Sequence, residues 1–561
     1  MAASRPLTHN PGTGPCAVCG ETGLPCARCR VDYYCSKEHQ KRHWPKHKVG
    51  CGSVELRGGS VVAARDIPAG TVIMREVPAL FFPASPLTYY QSQCLLLLCV
   101  GCCAELTPKA ASQCRRCGLP VCGNACSRAS EHQVECKAFE RAKFKVTKAD
   151  IRGATGAMLG AAVATLRVVS ACSDNQLLQN LLREPTLDGQ GLQASPDAAS
   201  WVDTIETYIA AVALFLREVA GIKWIPEQDL IRAARIVSMY AEDFEGPDPA
   251  RWSHVSKQEH VGTLYVGMAQ RKHSCYPNSG DTIMNAELKE WVVVTSRDVA
   301  AGAPITTHHQ RCRWLDDTLQ RRETLLVRKG IVCDCERCSD PTELGVYVGS
   351  PCCAGCTAQG KQRYLVPVKE DRDLWRCEGC PLEMTVSEVK ALTKPMEDRL
   401  EELKGSPPET ILQFTKAQVY PHGPLHSTHT VVLRANEYLR KDIYDRRADE
   451  QATEGEVDRW EEVVRGQLRA LDRLLPGVVG EDRAVILLEL RRLTLRRLRA
   501  AERKAALEAF CQPSRTTEAG LKLPEYRQAV LDVNKQLCGL HFNRDEEMPK
   551  RFLIEDPFGG R

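Results

Sequence analysis

Cysteine constrains this chain more than any other residue. There are 28 cysteines in 561 residues, many of them in C-x2-C pairs with histidines interleaved at ligand spacing. Two chemistries use cysteine this heavily: a disulfide framework in an oxidising compartment, or thiolate ligation of zinc in a reducing one. Met1 to Pro15 carries Arg5 and polar residues but no apolar stretch, so it does not read as a secretory signal. Zinc is therefore the expectation.

The first cluster runs Cys16-x2-Cys19-x6-Cys26-x2-Cys29-x5-Cys35-x3-His39-x7-His47-x3-Cys51. A C-x2-C pair brings two sulfurs to one ion through a tight turn. C-x3-H and H-x3-C pairs place two ligands on one face of a helix. Ligands in this order suit two tetrahedral zincs in a cross-braced module. Cys16, Cys19, Cys35 and His39 hold one, and Cys26, Cys29, His47 and Cys51 hold the other. His43 reads as an exposed helix residue outside the set.

A similar order returns between Cys99 and Cys136. There Cys99, Cys102, Cys122 and Cys126 share one zinc, and Cys114, Cys117, His132 and Cys136 share another. Cys103 competes with Cys102, and spacing does not choose between them. A third cluster, Cys353-x2-Cys356-x20-Cys377-x2-Cys380, has the spacing of a zinc ribbon, with Tyr364–Val368 and Trp375 supplying a β-hairpin. Apart from Cys275, Cys333, Cys335 and Cys338, the remaining Cys94, Cys103, Cys172, Cys312, Cys352, Cys511 and Cys538 read as ordinary core or surface thiols.

The length suits roughly three or four domains. A formal net charge of +4 argues against direct nucleic-acid binding. No stretch reads as a membrane span: Ala157–Cys172 is short and contains Arg167. Between the first two clusters, Arg57 to Met74 reads as strand, turn, strand, with Pro68-Ala69-Gly70 as the turn. Thr204–Val219 has helical spacing, and Leu182–Ala198 reads as a loop. From Thr385 onward the pattern is helical. Leu468, Leu471, Leu474 and Leu475 form one stripe, and Ile486, Leu490 and Leu493 another. Arg491, Arg492, Arg496, Arg497 and Arg499 suggest a basic face, read as a solvated helix surface.

The run Arg271-Lys272-His273-Ser274-Cys275-Tyr276-Pro277-Asn278 resembles the SET signature, and the order of the first cluster, with Tyr34-Cys35-Ser36 and His43-Trp44, resembles a MYND finger. Together they resemble the SMYD family, in which MYND fingers accompany a split SET domain. The segment Cys338 to Gly345 is similar to the arthropod msta-like subgroup with an extra N-terminal finger. The resemblance implies a further zinc on Cys275, Cys333, Cys335 and Cys338, for about six zincs in all. It also implies S-adenosylmethionine as methyl donor and a lysine amine as acceptor. Gly58 and Gly59 would let the backbone approach the donor, with Lys272, His273 and Ile331 around it and His309 at the catalytic position. Three of these depart from the family: Lys272 replaces asparagine, His309 tyrosine, and Ile331 an aromatic residue.

The expected fold is α+β, a small β-rich SET core with zinc modules, a helical insertion and a TPR-like helical C-terminal domain. The expected boundaries are a MYND finger at 12–51, the split SET domain at 52–98 and 251–330, and a second MYND-like module at 99–136. A helical insertion follows at 137–250, a post-SET zinc segment at 331–345, a ribbon at 346–384 and helices at 385–561. The resemblance implies protein-lysine methylation, weak or altered, or else an inactive SET scaffold acting as a transcriptional co-regulator. Protein substrates or proline-containing peptides are the expected partners of a monomer that sits in cytoplasm or nucleus, off membranes.

Overall fold

The computed structural model describes residues 12–83, 98–104, 106, 112–151, 153–173, 179, 206–244, 261–285, 290–308, 314–329, 331–368, 373–445, 453–478, 481–511, 524–525, 528–533 and 536. The chain is α+β and divides into two units. One comprises Met1–His273, Ile283–Thr307 and Arg322–Val332; the other comprises Ser274–Thr282, His308–Arg321 and Cys333–Arg561.

In the first unit, the opening zinc module ends in helix α1 (Lys37–Gly50), capped by Ser36, whose hydroxyl accepts from the His39 N–H. The chain then enters a hairpin of β1 (Val54–Arg57) and β2 (Ser60–Ala63). Gly58 and Gly59 form its two-residue turn at φ +57° and +79°, values that favour residues without a Cβ. The strand–turn–strand expected from Arg57 to Met74 is present, but its two arms do not pair with each other. β2 pairs with β1, and the return arm, β3 (Val72–Glu76), pairs with β8 (Glu290–Thr295). The Pro68–Gly70 turn instead joins two small sheets.

Strand β4 (Leu80–Pro83) lies beside β6 (Val261–Leu264), which also pairs with β5 (Glu242–Phe244). Gly262 sits opposite Phe82, where a Cβ would stand 2.3 Å from the ring. Fully buried Glu76 accepts the backbone N–H groups of Gly267 and Met268 at 2.9 and 3.0 Å. That carboxylate fixes the turn delivering the segment at 271–273. The core here joins Val61, Ile67, Ile73, Met74, Tyr265, Trp291 and Ile305.

Helices α2 (Ser130–Arg141), α3 (Gly153–Cys172) and α4 (Glu227–Tyr240) form a second core. The helix expected over Thr204–Val219 is found from residue 206 and widens to a π-turn at Phe215–Val219. Leu182–Ala198 lies outside the described residues. Among the described residues no helix is long and apolar enough to cross a membrane.

Gly50, the last residue of α1, lies so close to β3 that a Cβ would stand 2.1 Å from the Val72 carbonyl oxygen. Gly50→Ala is expected to push the finger off the sheet, at a cost of about 1–3 kcal/mol. Denaturant unfolding of the two proteins checks this.

The second unit carries a three-stranded ribbon sheet, β10 (Leu365–Pro367), β11 (Leu374–Cys377) and β12 (Glu383–Thr385), as the hairpin-prone residues predict. Five helices follow: α5 (Val386–Glu402), α6 (Pro408–Gln418), α7 (Thr430–Asp445), α8 (Glu454–Leu474) and α9 (Glu481–Cys511). Thr385 and Thr453 open α5 and α8 with reciprocal capping boxes to Glu388 and Glu456. Successive helices pack from α6 to α9, the pairing expected of a TPR-like array. The solvated arginine face expected on α9 is present in part: Arg492 and Arg499 are exposed, whereas Arg491 is buried and Arg497 pairs with Asp458 and Glu461 of α8.

Candidate metal centres and donor pocket

Every expected zinc quartet comes together. In the first module Cys16, Cys19, Cys35 and His39 form one group and Cys26, Cys29, His47 and Cys51 the other. In the second, Cys99, Cys102, Cys122 and Cys126 form one, and Cys114, Cys117, His132 and Cys136 the other. Cys275, Cys333, Cys335 and Cys338 also converge. In the ribbon, Cys353 lies 3.6 Å from Cys380, and Cys356 3.7 Å from Cys377. The free cysteines include every thiol of these quartets, as zinc chemistry requires.

The spacing suits zinc. Bonds of about 2.3 Å to sulfur put neighbouring sulfurs of a tetrahedron about 3.8 Å apart. Cys26 and Cys51 lie 3.8 Å apart, Cys114 and Cys136 3.8 Å, and Cys275 and Cys338 3.6 Å. His39 turns Nδ1 to within 3.1 Å of Cys35 and 3.6 Å of Cys16. His43 stays outside the set. It is half-buried rather than exposed, because its Nδ1 meets the Tyr34 hydroxyl at 2.9 Å. Cys102, not Cys103, faces the second module's ligands: Cys103 takes φ +61° and buries its side chain among the residues of the β2, β3 and β8 core.

Each module has an outer and an inner site. Cys19 and Cys35, like Cys102 and Cys122, are exposed, whereas His47, Cys51, His132 and Cys136 are buried. The two inner sites use one device that ligand spacing did not reveal. Asp32 accepts from His47 Nδ1 at 2.6 Å, leaving Nε2 to face Cys29 at 3.4 Å. Glu135 accepts from His132 Nδ1 at 2.9 Å, leaving Nε2 3.6 Å from Cys117. Such carboxylates fix the tautomer and strengthen the imidazole as a ligand. Burial would push the Asp32 carboxyl up. The His47 hydrogen bond and the Arg75 guanidinium together hold it below the usual carboxylate range.

An arginine continues each chain into the rest of the first unit. Arg75 on β3 lies 3.4 Å from Asp32 and 3.9 Å from Glu290 on β8. Arg167 on α3 donates to Glu135 at 2.6 and 3.0 Å, to the Phe81 carbonyl of β4 at 2.7 Å and to the Val100 carbonyl at 2.6 Å. Glu135 lies one helical turn beyond His132, so the i,i+3 spacing was its only signal in the sequence. Arg167 gave none beyond being a charge in an apolar helix.

The fifth quartet, in the second unit, also has a buried support. Arg321 donates to Cys338 Sγ at 3.5 Å and to Glu343 at 2.6 Å, and Arg337 donates to the same carboxylate at 2.9 Å. Burial pushes Glu343 up, and the two guanidiniums hold it below its ordinary value.

The expected donor-pocket residues of the first unit converge on one backbone. Lys272, exposed, and His273, half-buried, form β7, which runs parallel to β9 (Thr306–Thr307). Val61 of β2 donates its N–H to the Gln270 carbonyl at 3.1 Å, and its own carbonyl accepts from Ile305 at 2.9 Å. One residue thus ties the Gly58–Gly59 hairpin to both strands. Ile331 is half-buried, its N–H bonded to the Leu325 carbonyl at 3.2 Å. His309 lies outside the described residues.

Comparisons with known proteins bear on the first zinc module and on the chain's overall similarity. A MYND finger model matches residues 16–51. A SET domain-containing protein of Drosophila melanogaster, SmydA-8 isoform A, is 28% identical over 344 residues, 61% of this chain and 66% of that protein. The match thus spans just under two thirds of that relative's length. Egl nine homolog 1 of mouse is 45% identical over 56 residues, 10% of this chain and 13% of that protein. Its human counterpart is 50% identical over 42 residues, 7% and 10%.

Proposed function

From the premise that this chain belongs with the SMYD family of SET and MYND proteins, we propose that it binds S-adenosylmethionine and methylates lysine in protein substrates, through a pocket altered by Lys272, His309 and Ile331. The observation that supports this most is the Val61 junction. It holds the Gly58–Gly59 turn, the Lys272-His273 strand and the strand leading toward His309 in one hydrogen-bonded frame.

The residues suit a donor that carries a carboxylate. Lys272 offers an exposed ammonium group, and a Cβ added at Gly58 would meet nothing within 4 Å, so that turn leaves open space. Ile331 offers an aliphatic face in place of a stacking one. The donor supplies an electrophilic methyl on a sulfonium. The acceptor lysine, with a reference pKa of about 10.4, must lose its proton before it attacks. Desolvation and orientation are the protein's part of that task, with the His309 imidazole as hydrogen-bonding partner of the amine. With four protein side chains offered at each quartet, zinc held there would serve the fold and not the reaction.

Calorimetric titration of S-adenosylmethionine into zinc-loaded protein tests the reading. Binding is expected, followed by transfer of labelled methyl to protein in a cell lysate. No binding by folded, zinc-replete protein overturns it. The Lys272 ammonium is the group offered to the donor's carboxylate. Lys272→Asn is therefore expected to weaken binding several-fold, on the order of 1 kcal/mol for a lost ion pair across a partly wet site. The same titration checks this.

A second reading rests on the finger's surface. Leu24 is 67% exposed and Trp44 44% exposed. They suit capture of proline-containing peptides by a SET scaffold, in cytosol or nucleus where thiolate-bound zinc persists. If Leu24→Ser with Trp44→Ser keeps every partner recovered by the parent protein, that reading fails.

A further inference from the structure

The zinc sites differ sharply in how open their sulfurs are. Three are all-cysteine sites, and four thiolates on one Zn2+ leave a doubly negative, electron-rich cluster. In the Cys275 site three of the four sulfurs belong to buried residues, and the Arg321 guanidinium donates to Cys338 at 3.5 Å. In the ribbon Cys353, Cys356 and Cys377 are buried. The outer site of the second module is different. Cys102 and Cys122 are both exposed, Cys126 is half-buried, and only Cys99 is enclosed. The enclosed Cys99 takes backbone N–H donors from its own loop, among them Cys122 at 3.2 Å.

We propose that Cys102 and Cys122 form a reversible oxidation site, at which a hydroperoxide converts the two zinc thiolates to a disulfide and releases the metal. Their sulfurs lie 3.5 Å apart, and a disulfide needs about 2.05 Å. Exposed thiolates are the species that attack peroxide. One thiolate attacks the peroxide and the O–O bond breaks, giving a sulfenic acid and, with one proton, water or an alcohol. The second thiolate then attacks that sulfur, and a second proton carries off the oxygen as water. Two electrons pass from sulfur to oxygen, one S–S bond forms, and Zn2+ leaves because two of its ligands are gone.

The rest of the module is built to survive this. Cys114, Cys117, His132 and Cys136 are all buried, and the Glu135–Arg167 pair holds His132 in place. The outer loop, with the short helix Asn124–Ser127 that carries Cys126, then loses its anchor while the inner site keeps its zinc. The first module's outer site is less reactive, since neutral His39 replaces one thiolate and lowers the negative charge.

The test is a hydrogen peroxide titration of the zinc-loaded full chain. A chromophoric chelator follows zinc, and mass spectrometry after alkylation maps disulfides. The first zinc equivalent released is expected to coincide with a Cys102–Cys122 bond, and a dithiol plus added zinc is expected to restore the reduced, loaded site. The proposal is overturned if the first disulfide forms at Cys19–Cys35 or in the ribbon. It is equally overturned if zinc is released without a Cys102–Cys122 bond, if no zinc is released, or if the dithiol does not reverse the change. None of these outcomes depends on S-adenosylmethionine, so failure here is distinct from failure of the methyltransferase reading.

Discussion

Replacing Cys275 with serine is expected to remove one zinc per chain and to destabilise the second unit by an amount on the order of 10 kcal/mol, the scale of a structural zinc site. Cys275 has no exposed surface, and its partners Cys333, Cys335 and Cys338 lie about sixty residues further along, so the ion closes a long loop. A serine hydroxyl at neutral pH is a poor zinc ligand beside three thiolates. The electrostatics deepen the loss. Two buried guanidiniums, Arg321 and Arg337, share a single carboxylate, Glu343. A doubly negative zinc-thiolate cluster beside Arg321 would add to that pairing, so emptying the site removes a favourable interaction of its guanidinium. Zinc stoichiometry and denaturant unfolding measure both effects. Cys352→Ser is the control: Cys352 is a buried thiol in the same unit but outside every quartet, and that variant is expected to keep its full zinc content. A Cys275→Ser protein with unchanged zinc and an unchanged midpoint would remove Cys275 from the ligand set.

The zinc quartets were legible because ligation is read from local spacing. A C-x2-C turn and a C-x3-H helical pair each commit two ligands before any tertiary structure is known, and the cross-braced partition follows from their order. The choice between Cys102 and Cys103 was not legible, since adjacent cysteines satisfy the same spacing. It is settled by backbone: Cys103 adopts a left-handed φ and points into the core around β2, β3 and β8. Strand positions in the core around β2, β3 and β8 were legible from β-branched runs, yet their partners were not. The mate of β3 is β8, more than two hundred residues away, and no local pattern announces it. The supports of the inner zincs were hidden for a related reason. Asp32 and Glu135 are ordinary acids in the sequence, and only burial beside a zinc-binding imidazole gives them their role. The arginine stripe of α9 was legible only in part, because charge counting does not see Asp458 and Glu461 on the neighbouring helix.

Arg167 is the strongest case of a residue whose weight appears only in the fold, and its removal is the second large effect expected. It is buried, and its guanidinium serves Glu135 and two backbone carbonyls, Phe81 and Val100. Arg167→Met preserves much of the volume but strands Glu135, a fully buried carboxylate whose remaining partner is His132. Breaking one side of a buried ion pair costs roughly 3–5 kcal/mol. Because Glu135 also orients His132, zinc affinity at the Cys114 site is expected to fall as well, by about 10–100-fold for a lost outer-shell partner. The double variant Arg167→Met with Glu135→Gln separates the two effects. It removes the stranded charge, so much of the stability is expected to return, while the weakened support of His132 leaves zinc affinity low. Unfolding midpoints and zinc competition with a chelator read the two quantities independently. If the single variant unfolds at the parent midpoint, the Arg167–Glu135 pair does not join the second zinc module to α3 and β4. If the double variant is as unstable as the single one, the two backbone carbonyls left without Arg167 are the dominant loss.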